Sequence, residues 1–489
     1  VLRVGTLGRL GTLDPRNTHD TTSSLIFDEI YETPFAPLIA TETPAPLLFS
    51  EPLRADGGTA AMPVYSAPVR SDVLFSDGTP LTAELMVRSL AQSPDFLRHA
   101  TATASGNRVV FKLTRPNPRF DVVLTNNFAS IVLERAGAFL GTGPFMFERA
   151  LRLAELPRLD RLTLIRNPKY RNAVDADQIV FATYPAGANG GTELLLEGAK
   201  KGEYDFTYSL TSVDAAALRG YPFVPSISTG NATGILYFNT SRAPLDDVNV
   251  RKAIAHAVDR RAIAESTYDR NPLAYVAAGL LPPLMGRDAN GLQFDLGKAR
   301  SFAAAAGTKM PKRLSLTLIW SPRPYMPNPK RAGELLRDQL AVIGIELELI
   351  TPRDRPDYFD RSTRGNYDLL LSGWIADTAD PADFVDALLM SHSVPSPTNS
   401  TAMSNNLSRH ASPAMDAAIE RYRSEPTAAN RAEMMNLIWQ EAPLLPIIYG
   451  QAVAICSRNI SGFQHSVLGR CSLSNLRVRP PLGVVPRTP

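Results

Sequence analysis

Along this chain the spacing of hydrophobic positions switches repeatedly between the alternation of a strand and the three-to-four period of a helix. Residues 1–5 read as a strand, and Leu25, Ile26, Ile30 and Tyr31 fall at helical spacing within 22–32. Residues 34–69, rich in Pro, Gly and Ala, predict loops and weakly defined strands. Asp77 and Gly78 turn the chain into a helix capped by Thr82, with Glu84 at its positive end and Leu85, Val87, Leu90 and Leu97 as packing residues. Residues 109–113 form a strand that Pro116 and Pro118 end.

Residues 233–239 read as an apolar strand buried on both faces. Asp247 then precedes a long amphipathic helix with Val250, Ile254, Val258 and Ile263 inward and Arg251, Lys252, Arg260 and Arg261 outward. A strand over 314–319, a helix over 331–343 stopped by Gly344, and strands over 345–350 and 367–371 build a second, parallel-type sheet. Residues 444–455, apolar with Pro446 inside, carry the chain back to the first sheet, and 480–489 read as a frayed tail. This alternation is α/β, and two sheets imply two lobes.

The length of 489 residues agrees with two or three compact units. No repeat period is visible, which removes solenoids and propellers. Hydrophobic residues at 44% and charged residues at 20% allow full cores and exclude a disordered chain. The net charge of +3 is too small to mark a nucleic-acid partner or an anionic membrane surface. The longest apolar stretch, 274–285, is broken by Pro282 and Pro283 and is too short to span a bilayer. Because the text opens at Val1 already as a strand, the expectation is a processed chain whose export signal has been removed. Cys456 and Cys471, 15 apart, are open to a disulfide or to two buried thiols; an oxidising compartment favours the bridge.

Catalytic and cofactor signatures do not occur: there is no nucleophile elbow, zinc-protease helix, phosphate loop or dinucleotide fingerprint. The histidines His19, His99, His256, His392, His410 and His465 are scattered, with no pair at metal-ligand spacing. Gly141-Thr142-Gly143-Pro144-Phe145 reads as a structural turn. Neither a catalytic residue nor a metal or cofactor site is expected.

Two strings stand at the C-terminal ends of strands, where open α/β sheets place ligands. In Ser372-Gly373-Trp374-Ile375-Ala376-Asp377-Thr378-Ala379-Asp380-Pro381, Asp380 reads as a helix cap with Pro381 behind it, while Asp377 and Trp374 read as site residues. In Arg323-Pro324-Tyr325-Met326-Pro327, the prolines stiffen a connection from which Arg323 serves either as a surface cation or as a fork for a carboxylate.

With these strings the chain resembles the periplasmic dipeptide- and oligopeptide-binding receptors of ABC importers. The likeness runs in order from Gly5 to Phe463. It is carried by Thr12-Leu13-Asp14-Pro15, Phe75-Ser76-Asp77-Gly78-Thr79-Pro80, Arg166-Asn167-Pro168-Lys169-Tyr170, Gly202-Glu203-Tyr204-Asp205, Tyr237-Phe238-Asn239-Thr240, Val250-Arg251-Lys252-Ala253-Ile254 and Glu441-Ala442-Pro443-Leu444-Leu445-Pro446. The resemblance implies a two-lobed periplasmic-binding-protein fold of the large peptide-binding class (type II), with lobe I at 1–232, lobe II at 233–452, and a return with the tail at 453–489. A small subdomain at about 45–165 is inserted in lobe I, and the crossings lie near 230–236 and 448–455.

It further implies that Asp377 meets a peptide's ammonium, that Arg323 takes its carboxylate, and that the backbone of Gly373, Trp374 and Ile375 pairs with the peptide as an added strand. Tyr325 belongs to the same wall, and His19, Asp20 and Thr21 match the segment lining the cleft from lobe I. Leu371, where some oligopeptide binders carry a basic residue, favours a short ligand or a different one altogether. The implied protein is a monomeric, non-enzymatic, periplasmic receptor without cofactor that hands short peptides to a membrane permease. A ligand-sensing module of the same fold, or a receptor for haem, a metal chelate, an opine or a sugar, is the alternative.

Overall fold

The computed structural model describes residues 1–17, 20–36, 43–59, 62–185, 192–268, 275–286, 291–376, 378–399, 404–464 and 472–479. The centre of the molecule is a mixed sheet whose two longest strands, Phe223–Phe238 and Leu444–Ser457, lie side by side and antiparallel. Phe223 to Thr229 pair with Ser457 to Gln451, and Thr233 to Tyr237 pair with Tyr449 to Leu444. Between the two runs the register slips beside Gly230, whose φ of +113° favours glycine.

Each long strand serves both halves of the sheet. Leu444–Ser457 pairs through Ile455 and Cys456 with Phe206–Thr207, and Leu2–Leu7, Gln178–Tyr184, Arg161–Arg166 and Phe145–Phe147 follow outward. Phe223–Phe238 pairs with Leu369–Ile375, beyond which lie Arg313–Thr317 and Glu346–Ile350. The strand expected over 233–239 is therefore the second part of a longer one. Its first part was hidden because Val224 and Ile227 are exposed, so no buried apolar run marks it.

The largest core packs Leu316, Leu347, Leu370 and Phe238 under the helices Val248–Ala257, Pro329–Ala341 and Pro381–Leu389. A second holds Leu2, Val4, Phe181, Phe206, Ala454 and Cys456, and a smaller one Leu195, Tyr204, Val453 and Ile455. Alternate residues of one strand thus feed two cores on its two faces. A separate core of Phe49, Phe75, Phe96, Phe111 and Phe120 lies under its own sheet of Arg54–Gly58, Pro63–Pro68, Arg108–Leu113 and Ala100–Ser105. Arg54–Gly58 is exposed throughout, which is why its text carries no alternation.

Local signals hold. Thr82 caps the helix Ala83–Leu90 by accepting from the Leu85 N–H, and Gly344 has the left-handed φ of +82° expected where a helix stops. Gly143 donates its N–H to the Ile30 carbonyl at 2.9 Å, so its segment is a structural turn.

Three expectations are corrected. Arg251 and Arg260 are buried rather than outward, because Arg251 donates to the carbonyls of Leu245, Asp246, Glu441 and Ala442, and Arg260 to that of Ala277. Their helix is two, Val248–Ala257 and Arg260–Thr267, the second capped by Asp259. Leu97 stands outside the helix it was expected to pack and is exposed. Cys456 packs in the second core, where burial pushes its thiol pKa up to about 12; Cys471, the other half of the expected bridge, lies outside the described residues.

Candidate ligand-binding site

The strand Leu369–Ile375 pairs on one side with Phe223–Phe238 along its whole length. On its other side only Leu369 and Leu370 are paired, with Leu316 and Thr317. Among the described residues the outer edge of 371–375 therefore has no partner strand, and an extended chain can add there through main-chain hydrogen bonds.

Beside that edge lies a tight turn. The Arg323 N–H donates to the Met326 carbonyl at 3.0 Å, and the Met326 N–H returns the bond to Arg323 at 2.9 Å. The turn rests on three glycines of neighbouring strands. A Cβ on Gly373 would run into the Tyr325 ring and the Thr233 carbonyl, one on Gly234 into the Tyr325 carbonyl, and one on Gly450 would come within 3.2 Å of the Pro324 oxygen. Gly373 is thus required by the protein's own turn.

Arg323 is held by this turn with its guanidinium 4.0 Å from the centre of the Trp320 ring. Burial pulls its pKa below the ordinary arginine value, against the favourable fields of Tyr325, Tyr358 and Asp20. No carboxylate among the described residues pairs with it. A half-buried cation in this position can take an anionic ligand.

Asp20, the cap of the helix Thr21–Phe27, adds a favourable field at Arg323. The Asp20 carboxylate itself is engaged, accepting from the Ser23 N–H and hydroxyl, each at 2.8 Å, as the cap of that helix. Thr21 begins the helix, while His19 and Asp377 lie outside the described residues. Ile375 is half-buried and pairs with Ala232. Trp374, also half-buried, lines a small recess with His99, Asn126, Phe128, Thr378 and Asp383. The structure thus brings Arg323, Tyr325, Gly373 and Asp20 near one another.

Behind the 376–380 segment is a charge network that sequence reasoning missed. Asp380 caps the helix Pro381–Leu389 by accepting from the Ala382 N–H at 2.9 Å. Arg423, fully buried, donates to Asp383 at 3.0 Å and to Asp386 at 2.5 Å. Arg115, just after the strand Arg108–Leu113, reaches across to Asp386 at 2.7 Å and to Glu420 at 3.0 Å. Burial would raise the Asp386 carboxyl, but His392, Arg423 and Arg115 together hold it well below the usual carboxylate range. The partners are far apart in the sequence, and no local pattern announces them.

His99 stacks on Phe128 at 5.6 Å between ring centres, and burial lowers its pKa from 6.5 to about 4, with Asp383 opposing and Arg115 assisting. Folded His99 is neutral where the unfolded chain takes up a proton, so its contribution to stability falls as pH drops from 6.5 towards 4, by up to about 1.4 kcal/mol per pH unit. Asp380, raised to about 6 by burial and Asp383, acts in the opposite sense. Urea midpoints from pH 7 to pH 5 should therefore fall more steeply for wild type than for His99→Gln; parallel curves would contradict the assignment.

The family comparison decides what this geometry belongs to: residues 64–394 match the model of the bacterial extracellular solute-binding proteins, family 5. The chain belongs to that family. This family-5 protein is 27% identical over 417 residues to a probable di/tripeptide-binding protein of Pseudomonas aeruginosa, covering 79% of this chain and 73% of the relative. It is 24% identical over 398 residues to the dipeptide-binding protein of Escherichia coli, covering 76% and 70%. Its fold matches the crystal structure of the dipeptide-binding protein of Pseudoalteromonas sp. SM9913 in complex with Met-Leu, with a TM-score of 0.81 at 21% identity over 98% of this chain and 100% of that one. The family-5 protein is accordingly an α/β protein of the two-lobed class, and among its described residues no helix is long and apolar enough to cross a membrane.

Proposed function

We propose that the protein is the receptor of an ABC importer that closes around a short peptide and delivers it to a membrane permease. In this reading one lobe is residues 1–232 with 453 onward and the other 233–452, with the two long strands as the hinge. Arg323 takes the peptide carboxylate, Asp377 its ammonium, and the open edge at Gly373, Trp374 and Ile375 its backbone. Tyr325 and Trp374 wall the site, and the segment His19, Asp20 and Thr21 closes it from the other lobe, with Asp20 fixing the helix. The receptor works outside the cytoplasm as a monomer and catalyses no reaction.

The observation that carries the reading is Arg323, a half-buried cation that no carboxylate among the described residues pairs with, beside a strand edge to which no described strand adds. Support also comes from relatives named for di- and tripeptides. Native mass spectrometry of the purified protein tests it: mass increments of short peptides, lost on unfolding, are expected. Increments of haem or of a metal chelate in their place would overturn the peptide assignment.

A further inference from the structure

The two long strands have a second face. Gly450 points at the Arg323–Met326 turn, so in the alternation of a strand Gln451 and Ile455 point the opposite way. Pro225 and Ile227, which pair with Ile455 and Val453, share that opposite face. There the structure holds a cavity of about 220 Å³, separated from the Arg323 turn by the strands themselves.

The lining has a distinct chemistry. Tyr268 and Tyr275, with ring centres 4.5 Å apart, supply an aromatic wall, and the exposed Ile227 forms part of an apolar floor. The Gln451 side chain is 5% exposed, and its carbonyl oxygen has no hydrogen-bond partner. A buried acceptor left open inside a cavity asks for a donor. Arg219 and Arg458 stand at the rim without a carboxylate among the described residues, and no acidic side chain is part of the lining. An ammonium would find only like charges.

We propose that this cavity is a second ligand site, for a small amphipathic acid whose amino group is blocked: an apolar or aromatic body, one amide N–H for Gln451, and a carboxylate for the two arginines. An N-acylated aromatic amino acid has these features and a matching size. The site differs from the peptide cleft in rejecting a free ammonium.

Calorimetric titration with N-acetyl-L-phenylalanine on the full chain tests the proposal. Saturable one-to-one binding is expected, changed by less than about twofold in Arg323→Ala and weakened by about tenfold or more in Arg219→Ala/Arg458→Ala and in Ile227→Trp, an exposed position at which a larger side chain occupies the cavity. L-phenylalanine amide, which keeps its ammonium, should not compete. Thermal melts establish that each variant is folded. Absence of saturable binding to wild type, loss of binding in Arg323→Ala, or full affinity in folded Ile227→Trp would each overturn the site. The Arg323→Ala arm separates failure here from failure of the peptide reading.

Discussion

Arg423→Met should lower the unfolding free energy by about 3–5 kcal/mol, the largest loss expected from a single change in this protein. The arginine side chain is wholly buried, and it neutralises Asp383 and Asp386, which are nearly as deeply enclosed. Methionine fills much of the volume but leaves two carboxylates, with Arg115 and His392 engaging Asp386 alone. The cost is that of charge stranded in a low-dielectric interior rather than of lost contact area. Adding Asp383→Asn to Arg423→Met should therefore recover part of the loss. Urea unfolding measures both; a loss below about 1 kcal/mol for the single variant would show that the network is not the support of the 376–380 segment that its geometry implies.

Arg323→Ala is expected to change peptide affinity and leave stability nearly untouched. Peptide affinity should fall by about 100-fold, because the ligand carboxylate would enter a dry cleft with no cation to meet it. Stability should stay within about 1 kcal/mol of wild type, since the unliganded protein bears the cost of half-burying a guanidinium that no described carboxylate pairs with, and loses its stacking on Trp320. Binding and stability changing together would mean that Arg323 serves the fold. Unchanged affinity with unchanged stability would remove it from the site altogether.

These two arginines also mark how far the sequence alone reaches. The turn that holds Arg323 was legible because its proline-stiffened string follows a strand, but that string alone left a surface cation and a carboxylate fork equally open. Arg423 was not, because nothing within its helix Pro413–Ser424 distinguishes an inward arginine from a solvated one; Asp383 and Asp386 decide it from another helix. The same holds for Arg251 and Arg260, drawn inward by carbonyl groups distant in the chain. Caps at Thr82 and Asp380 and the stop at Gly344 were readable because each depends on a few consecutive residues. The glycine floor under Tyr325 needed the register of three strands, which periodicity does not supply.

The proposed recognition of a ligand carboxylate by Arg323 is tested most directly by comparing one dipeptide with its own C-terminal amide. Calorimetric titration of the wild-type protein with Met-Leu and with Met-Leu amide changes a single charge on the ligand while every other group stays the same. The acid should bind one-to-one with micromolar or tighter affinity, and the amide about 100-fold more weakly. Equal affinities for the two would contradict the claim that a partnerless cation in the cleft is completed by its cargo.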